Sequence, residues 1–387
     1  MAAPAAQERA RTAVAITFVV AGLAFASWVS RLPAVRDDLA LSPSGLGLLL
    51  LCMSGGAVVA LPLSGPVVAR VGPARAVCGG ALTLGVGLLA AALGVGTGSV
   101  ALAAAGLVLT GLGTGFWDVA MNVAAADVEQ RLGRVLMPRF HAGFSVGTVA
   151  GALLGAGGAA LSVPAGVQLA VTAVVAVGGA VLASRAFPAT APPESGHPSS
   201  RAAWREPRTL GIGLLVLAFA LTEGTANEWL AIALVDGHGT SQAVGAVGFG
   251  AFVTAMTVVR TVGGGLLARY GRVAVLQAGA AVTAVGLLLV VVADPLPLVV
   301  LGALLWGSGA ALGFPVGMSA AADDPVRAPV RVSVVSSLGY TAFLGGPPLV
   351  GFLAETFGIR RALLVVLVAL GVAVAAAGAA RVEQARD

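Results

Sequence analysis

The chain has 387 residues, 58% of them hydrophobic and 10% charged, with a mean hydropathy of +0.98. That balance excludes a water-soluble globular domain and places the chain in a membrane. All 22 basic residues are arginine and the net charge is +5, but no basic block with aromatic partners occurs, which excludes a nucleic-acid partner. The two cysteines, Cys52 and Cys78, sit in apolar runs and read as packing thiols, not as a disulfide or a metal site. Neither Walker A nor HExxH is present, so no cofactor or metal is expected and ATP-driven pumping by this chain is set aside.

From the amino terminus, Arg9 and Arg11 precede an apolar run and an "AFA" at 24–26 that imitate a secretory signal. Eleven further apolar runs follow, so the first is read as an uncleaved span. A helix needs about 20 apolar residues to cross a bilayer. The spans are expected at 13–33, 43–66, 75–95, 99–122, 138–158, 164–186, 209–235, 242–267, 273–293, 295–318, 332–354 and 361–381. The long polar stretch "PATAPPESGHPSSRAAWREP" divides them into bundles of six: residues 1–187, a cytoplasmic linker 188–207, and residues 208–387. With both termini inside, seventeen arginines are cytoplasmic and four (Arg31, Arg36, Arg360, Arg361) are outside, while Arg260 lies within span eight. This asymmetry orients the chain. With 55 glycines, GxxxG matches are expected by chance and are discounted.

The halves echo one another. "GPVVARVGPAR" at 65–75 matches "GGLLARYGRVA" at 264–274, pairing Gly65, Ala69, Arg70 and Gly72 with Gly264, Ala268, Arg269 and Gly271. "MNVAAAD" at 121–127 echoes "MSAAADD" at 318–324, and "AGFSVG" at 142–147 loosely matches "LGYTAF" at 338–343. Parallel repeats of six spans are one plan of secondary transporters, with the binding site near the midplane.

On these residues the chain resembles the major facilitator superfamily over essentially its whole length. Gly65, Arg70, Gly72 and Arg75 look like the superfamily's G-x-x-x-D-R-x-G loop, and Gly264, Arg269, Gly271 and Arg272 form its degenerate copy. Ala69 and Ala268 replace the usual acid, so the latch that the resemblance implies is weaker here or built from other residues. "DVAMN" on span four is similar to an acid-x-x-x-Asn element of fucose-permease-like sugar:proton symporters and related bacterial inner-membrane proteins. The acid that those permeases carry four residues before a span-one proline is Val29 here, before Pro33.

A carboxylate at the centre of a span costs about 2.5–3.5 kcal/mol even on mild insertion scales, so it should face protein or a water-filled cavity. Asp118 and Asn122 share a helical face, and Glu223 and Asn227 on span seven repeat the spacing. Glu223 lies about 14 residues, roughly 21 Å, from the inner end of its helix. Spans one, four, seven and ten line the cavity that the resemblance implies. Spans three, six, nine and twelve carry no charge in their apolar cores.

Asp118 and Glu223 are the candidate proton-coupling residues; the alternative is that each merely bonds helices together. Arg260 either snorkels to the interface or pairs an acid or an anionic substrate. Trp28, Asn122, Asn227, Glu228 and Trp229 are candidate substrate contacts. His141 is read as structural near a cytoplasmic loop, or as a pH sensor. Arg31 is read as marking the outer interface.

"GFSVG" at 143–147 fits a hydrolase elbow only by letter, because it sits inside a span and no strand leads into it. The expected protein is therefore not an enzyme. It is an all-α polytopic transporter of twelve helices with both termini cytoplasmic, a monomer of the bacterial cytoplasmic membrane moving a small polar, sugar-like solute with protons. A proton-driven exporter of a drug-like or metabolic compound, and a non-transporting sensor or scaffold, are the alternatives.

Overall fold

The computed structural model describes residues 4–41, 43–188, 200–240 and 242–382; most of the expected linker lies outside the described residues. The described residues form helices: α1 (Pro4–Val29), α2 (Leu32–Asp38), α3 (Pro43–Val71), α4 (Pro73–Thr97), α5 (Val100–Leu132), α6 (Met137–Ala160), α7 (Ala165–Ser184), α8 (Ser200–Ala203), α9 (Pro207–Ile232), α10 (Gln242–Tyr270), α11 (Arg272–Val292), α12 (Leu296–Ala310), α13 (Gly313–Ala321), α14 (Ala328–Phe357), α15 (Ile359–Ala362) and α16 (Val365–Ala376). A π-helical turn, Ala233–Gly237, extends α9, and a 3₁₀ turn, Ala377–Ala380, extends α16. Among the described residues, ten helices are long and apolar enough to cross a membrane. The fifth and eleventh expected spans correspond to α6 and α14, of 24 and 30 residues, which carry Arg139, His141 and Ser145, and Arg331, Ser333 and Ser336, in their first halves.

The chain forms two compact units. Unit 1 comprises Met1–Arg134, Phe140–Ser200 and Pro325–Ser333; unit 2 comprises Val135–Arg139, Arg201–Asp324 and Val334–Asp387. Within unit 1, α5 packs on α3 and α4, and α7 packs on α1 and α4. Within unit 2, α12 packs on α10 and α11, and α16 packs on α9 and α11. The pairing is the same with α1, α3, α4, α5 and α7 replaced by α9, α10, α11, α12 and α16, so the echo in the sequence is also an echo in packing.

Local chemistry sets the helix ends. Gly72 (φ 82°, ψ 157°) and Gly271 (φ 76°, ψ 164°) precede α4 and α11 in a backbone region essentially restricted to glycine. Side-chain-free positions also set the packing: a Cβ on Gly80 would lie 2.7 Å from the Trp117 nitrogen and 2.9 Å from the Gly113 carbonyl oxygen. The close α4–α5 approach therefore depends on small residues. Outward faces are apolar: Leu153, Val174 and Phe352 are 68%, 67% and 68% exposed, as lipid-facing positions must be.

Candidate functional site

In unit 1 the ionisable centre is built on α5 and α6. Asp118 and Asn122 stand one turn apart, and both are buried, at 7% and 0% exposure. The Asn122 Nδ2 group donates to the Asp118 backbone carbonyl at 2.9 Å and to its Oδ1 at 3.3 Å. With the amide nitrogen committed to acceptors, Oδ1 of Asn122 faces His141 Nε2 at 3.2 Å. An amide oxygen only accepts, so in this arrangement Nε2 carries a proton and donates. The His141 ring is held edge-on against Phe18 of α1, with centroids 5.0 Å apart, and Ser145 Oγ donates to the His141 carbonyl at 3.3 Å. Pro138 opens this segment of α6, where its missing N–H costs nothing because the first turn has no helical acceptor for it. His141 thus lies in the first half of α6, buried and joined through Asn122 to Asp118.

In unit 2 the centre is an ion pair. Arg260 of α10 donates from NH2 to Glu223 Oε2 of α9 at 2.8 Å, with side-chain exposures of 5% and 16%. Arg260 Nε–H also donates to the carbonyl of Ala311 at 3.0 Å. That acceptor exists because of a proline. Residue 315 would normally donate its N–H to the carbonyl four residues back, but Pro315 has none and its ring crowds that carbonyl. The tenth expected span accordingly divides into α12 and α13 around Ala311 and Leu312, and Arg260 takes up the freed oxygen. Arg260 is buried and paired, which decides against snorkelling. Trp306 Nε1 donates to the Thr222 carbonyl at 3.2 Å and fixes α12 to the same turn of α9.

The other expected site residues divide between the interior and the surface. Trp28 is buried at 2% exposure. Asn227 and Glu228 are exposed, and Trp229 is half-buried with its ring 3.5 Å from a Cβ position on Gly351. Its indole N–H is buried without a hydrogen-bond partner among the described residues, as is that of Trp117. The acid-x-x-x-Asn spacing therefore brings Asn122 to its acid in unit 1, whereas in unit 2 it leaves Asn227 at the surface. Arg31 is 5% exposed and donates to Gln168 Oε1 at 3.1 Å and to the Val163 carbonyl at 2.6 Å. It ties the end of α1 to the α6–α7 turn and is buried there.

The repeated loops differ in their chemistry. Arg70 and Arg75 are exposed. Gly65 lies against the start of α14, where a Cβ would come 2.6 Å from the Pro329 carbonyl oxygen, and Gly264 lies 2.7 Å from that of Val135 by the same measure. Arg269 stacks over Tyr270 at 5.2 Å. Arg272 holds both oxygens of Asp323 at 2.9 Å and also Ser319 Oγ at 2.9 Å, while Arg208 NH2 reaches Asp323 Oδ2 at 2.7 Å. Sequence reading missed Asp323 because the letter match aligned Asp127 with its neighbour Asp324. In unit 1 Asp127 has a simpler partner, Arg131 Nε at 2.7 Å. No group of three or more potential metal ligands occurs among the described residues.

Residues 14–323 match the Major Facilitator Superfamily. The chain is 35% identical over 356 residues to an uncharacterized transporter of Sinorhizobium fredii, y4wD, covering 91% of this chain and 93% of that protein. Its fold is similar to the crystal structure of the E. coli fucose:proton symporter FucP, at 14% identity and a TM-score of 0.82 over 95% of this chain and 97% of that one. It is also similar to the human organic anion transporter MFSD10 (TETRAN), at 18% identity and a TM-score of 0.80 over 98% of this chain and 100% of that one. The match of residues 14–323 and the 35% identity over 91% of the chain show that the chain is a multi-pass membrane protein belonging to the Major Facilitator Superfamily.

Proposed function

We propose that the chain is a proton-coupled symporter that moves a small polar, sugar-like solute across the bacterial cytoplasmic membrane by alternating access. The proposed topology has twelve spans with both termini in the cytoplasm and a six-helix bundle on either side of the linker at 188–207. The observation that carries the reading is the Glu223–Arg260 pair, buried among apolar helices at 2.8 Å.

Arginine is charged at every physiological pH, so the charge on the pair is decided by the acid. When Glu223 is ionised it holds Arg260; when it takes a proton the attraction is lost and the guanidinium is free to engage a solute oxygen. Asp118 is the second proton site. Through Asn122 it answers to the charge on His141, because an imidazolium donates more strongly to Oδ1 than a neutral ring does. In unit 2, Asn227, Glu228 and Trp229 supply hydrogen bonds and a ring face for the solute, and the loops holding Gly72 and Gly271 act as gates. The fucose symporter's similar fold and the DVAMN element support a sugar-like substrate.

The test uses proteoliposomes enclosing a pH-sensitive dye, challenged with a panel of monosaccharides chosen by thermal shift at about pH 6 and about pH 8. Symport predicts that a stabilising sugar added outside acidifies the lumen. Alkalinisation of the lumen on adding a solute would instead indicate exchange, the exporter reading, and no proton movement with any stabilising solute would remove proton coupling.

A further inference from the structure

Apart from the two polar centres, unit 1 contains a cleft of about 460 Å³ at the end where α1 begins and where α5 and α7 finish. Three arginines from three helical segments line it: Arg9, Arg131 and Arg185. Arg131 is held by Asp127 through Nε at 2.7 Å. Arg9 and Arg185 form no hydrogen bond or ion pair with any described residue, and neither does the Gln7 amide beside them. The walls between these donors are apolar, with Leu132 and Phe187 among them.

Arg9 and Arg185, both exposed and without an acidic partner among the described residues, are available to an anion, and the outer surface of α7 indicates which kind. Val167, Val171, Val174 and Leu182 are 53%, 57%, 67% and 64% exposed. They recur at spacings of three and four, with the open position at Gly178 between them, and so share one helix face. Arg185 continues that face three residues after Leu182. An apolar strip long enough for an acyl chain therefore ends at a cluster of guanidinium groups. A soluble anion would use the cluster and not the strip; a phospholipid uses both, since guanidinium forks match phosphate oxygens and basic pockets among membrane helices take anionic headgroups.

We propose that this cleft binds the phosphate of an anionic phospholipid, with Arg9 and Arg185 as its principal ligands, Gln7 as an additional donor and the α7 strip seating an acyl chain. The site lies on the side that the arginine asymmetry assigns to the cytoplasm. It is independent of the coupling centres at Asp118 and Glu223.

Native mass spectrometry of the full-length protein in detergent, with phosphatidylglycerol or phosphatidylcholine of identical acyl chains, tests it. The wild type should retain one phosphatidylglycerol in preference to phosphatidylcholine, and the Arg9→Gln/Arg185→Gln variant should lose that preference by about tenfold or more, as removal of two charge-assisted contacts implies. Arg201→Gln, an exposed arginine outside the cleft, should keep it. If the double variant fails to purify as a folded monodisperse species, Arg185→Gln alone decides, with Arg185→Lys expected to retain an intermediate preference. Equal retention of the two lipids by the wild type, or unchanged retention by the variants, would overturn the proposal. Stabilisation by inorganic phosphate matching that by phosphatidylglycerol would assign the cleft to a soluble anion and overturn it as well.

Discussion

The polar centres of the two units start from the same acid-x-x-x-Asn spacing and end in different chemistry. In unit 1 the asparagine turns back onto its acid and links it to an imidazole, giving neutral and charge-assisted hydrogen bonds in a row. In unit 2 the asparagine is exposed and the acid meets a guanidinium instead. Spacing along one helix decides which side chains share a face; the partner that fills the face comes from another helix. The outcome should show in the energetics, because loss of one partner from a buried ion pair leaves an uncompensated charge, whereas loss of a neutral partner leaves an unsatisfied dipole.

The sharpest way to break the comparison is Arg260→Gln, which strands the Glu223 carboxylate and the Ala311 carbonyl. It should destabilise the protein by about 3–5 kcal/mol, read by thermal denaturation in detergent. Adding Glu223→Gln should recover a large part of the loss, and strict additivity of the two single changes would show that the pair is not energetically coupled. In unit 1, His141→Ala removes the partner of Asn122 Oδ1 and should cost about 1–3 kcal/mol. A loss equal to that of Arg260→Gln in the same assay would erase the distinction between the centres. Trp306→Phe keeps the ring and deletes the bond to the Thr222 carbonyl, for an expected loss of about 0.5–1.5 kcal/mol. Arg75→Gln, in the exposed first turn of α4, should change stability by no more than about 0.5 kcal/mol; a larger change would mean that this turn is as firmly anchored as Arg272 is by Asp323.

Much of the architecture was legible because it is repetitive. Hydrophobic runs marked the helices, and the paired Gly72 and Gly271 marked two turns that share one backbone conformation. That Asp118 and Asn122 share a face followed from a four-residue spacing, whereas their burial belongs to a stretch, residues 117–126, that is buried all round. What could not be read were contacts between segments distant in sequence. His141 is 19 residues from Asn122 and Arg260 is 37 from Glu223, so no periodicity joins them, and both readings of each had to stay open. The division of the tenth span was hidden for another reason: hydropathy counts apolar surface, and one proline among alanines and glycines scarcely changes the count. Yet Pro315 is what frees the Ala311 carbonyl that Arg260 uses. Gly80 and Gly113 stand in no GxxxG match, so nothing in the sequence marked them, although backbone proximity gives them a specific role at the α4–α5 crossing.

Comparing two transport modes in the same vesicles tests the central claim, proton coupling through the buried acids, most directly. Solute exchange at equilibrium needs no net proton movement, whereas accumulation against a gradient does. Using the sugar identified by thermal shift, Glu223→Gln and Asp118→Asn are expected to retain exchange while losing accumulation driven by an imposed pH gradient. Accumulation at the wild-type level by both variants would contradict the claim.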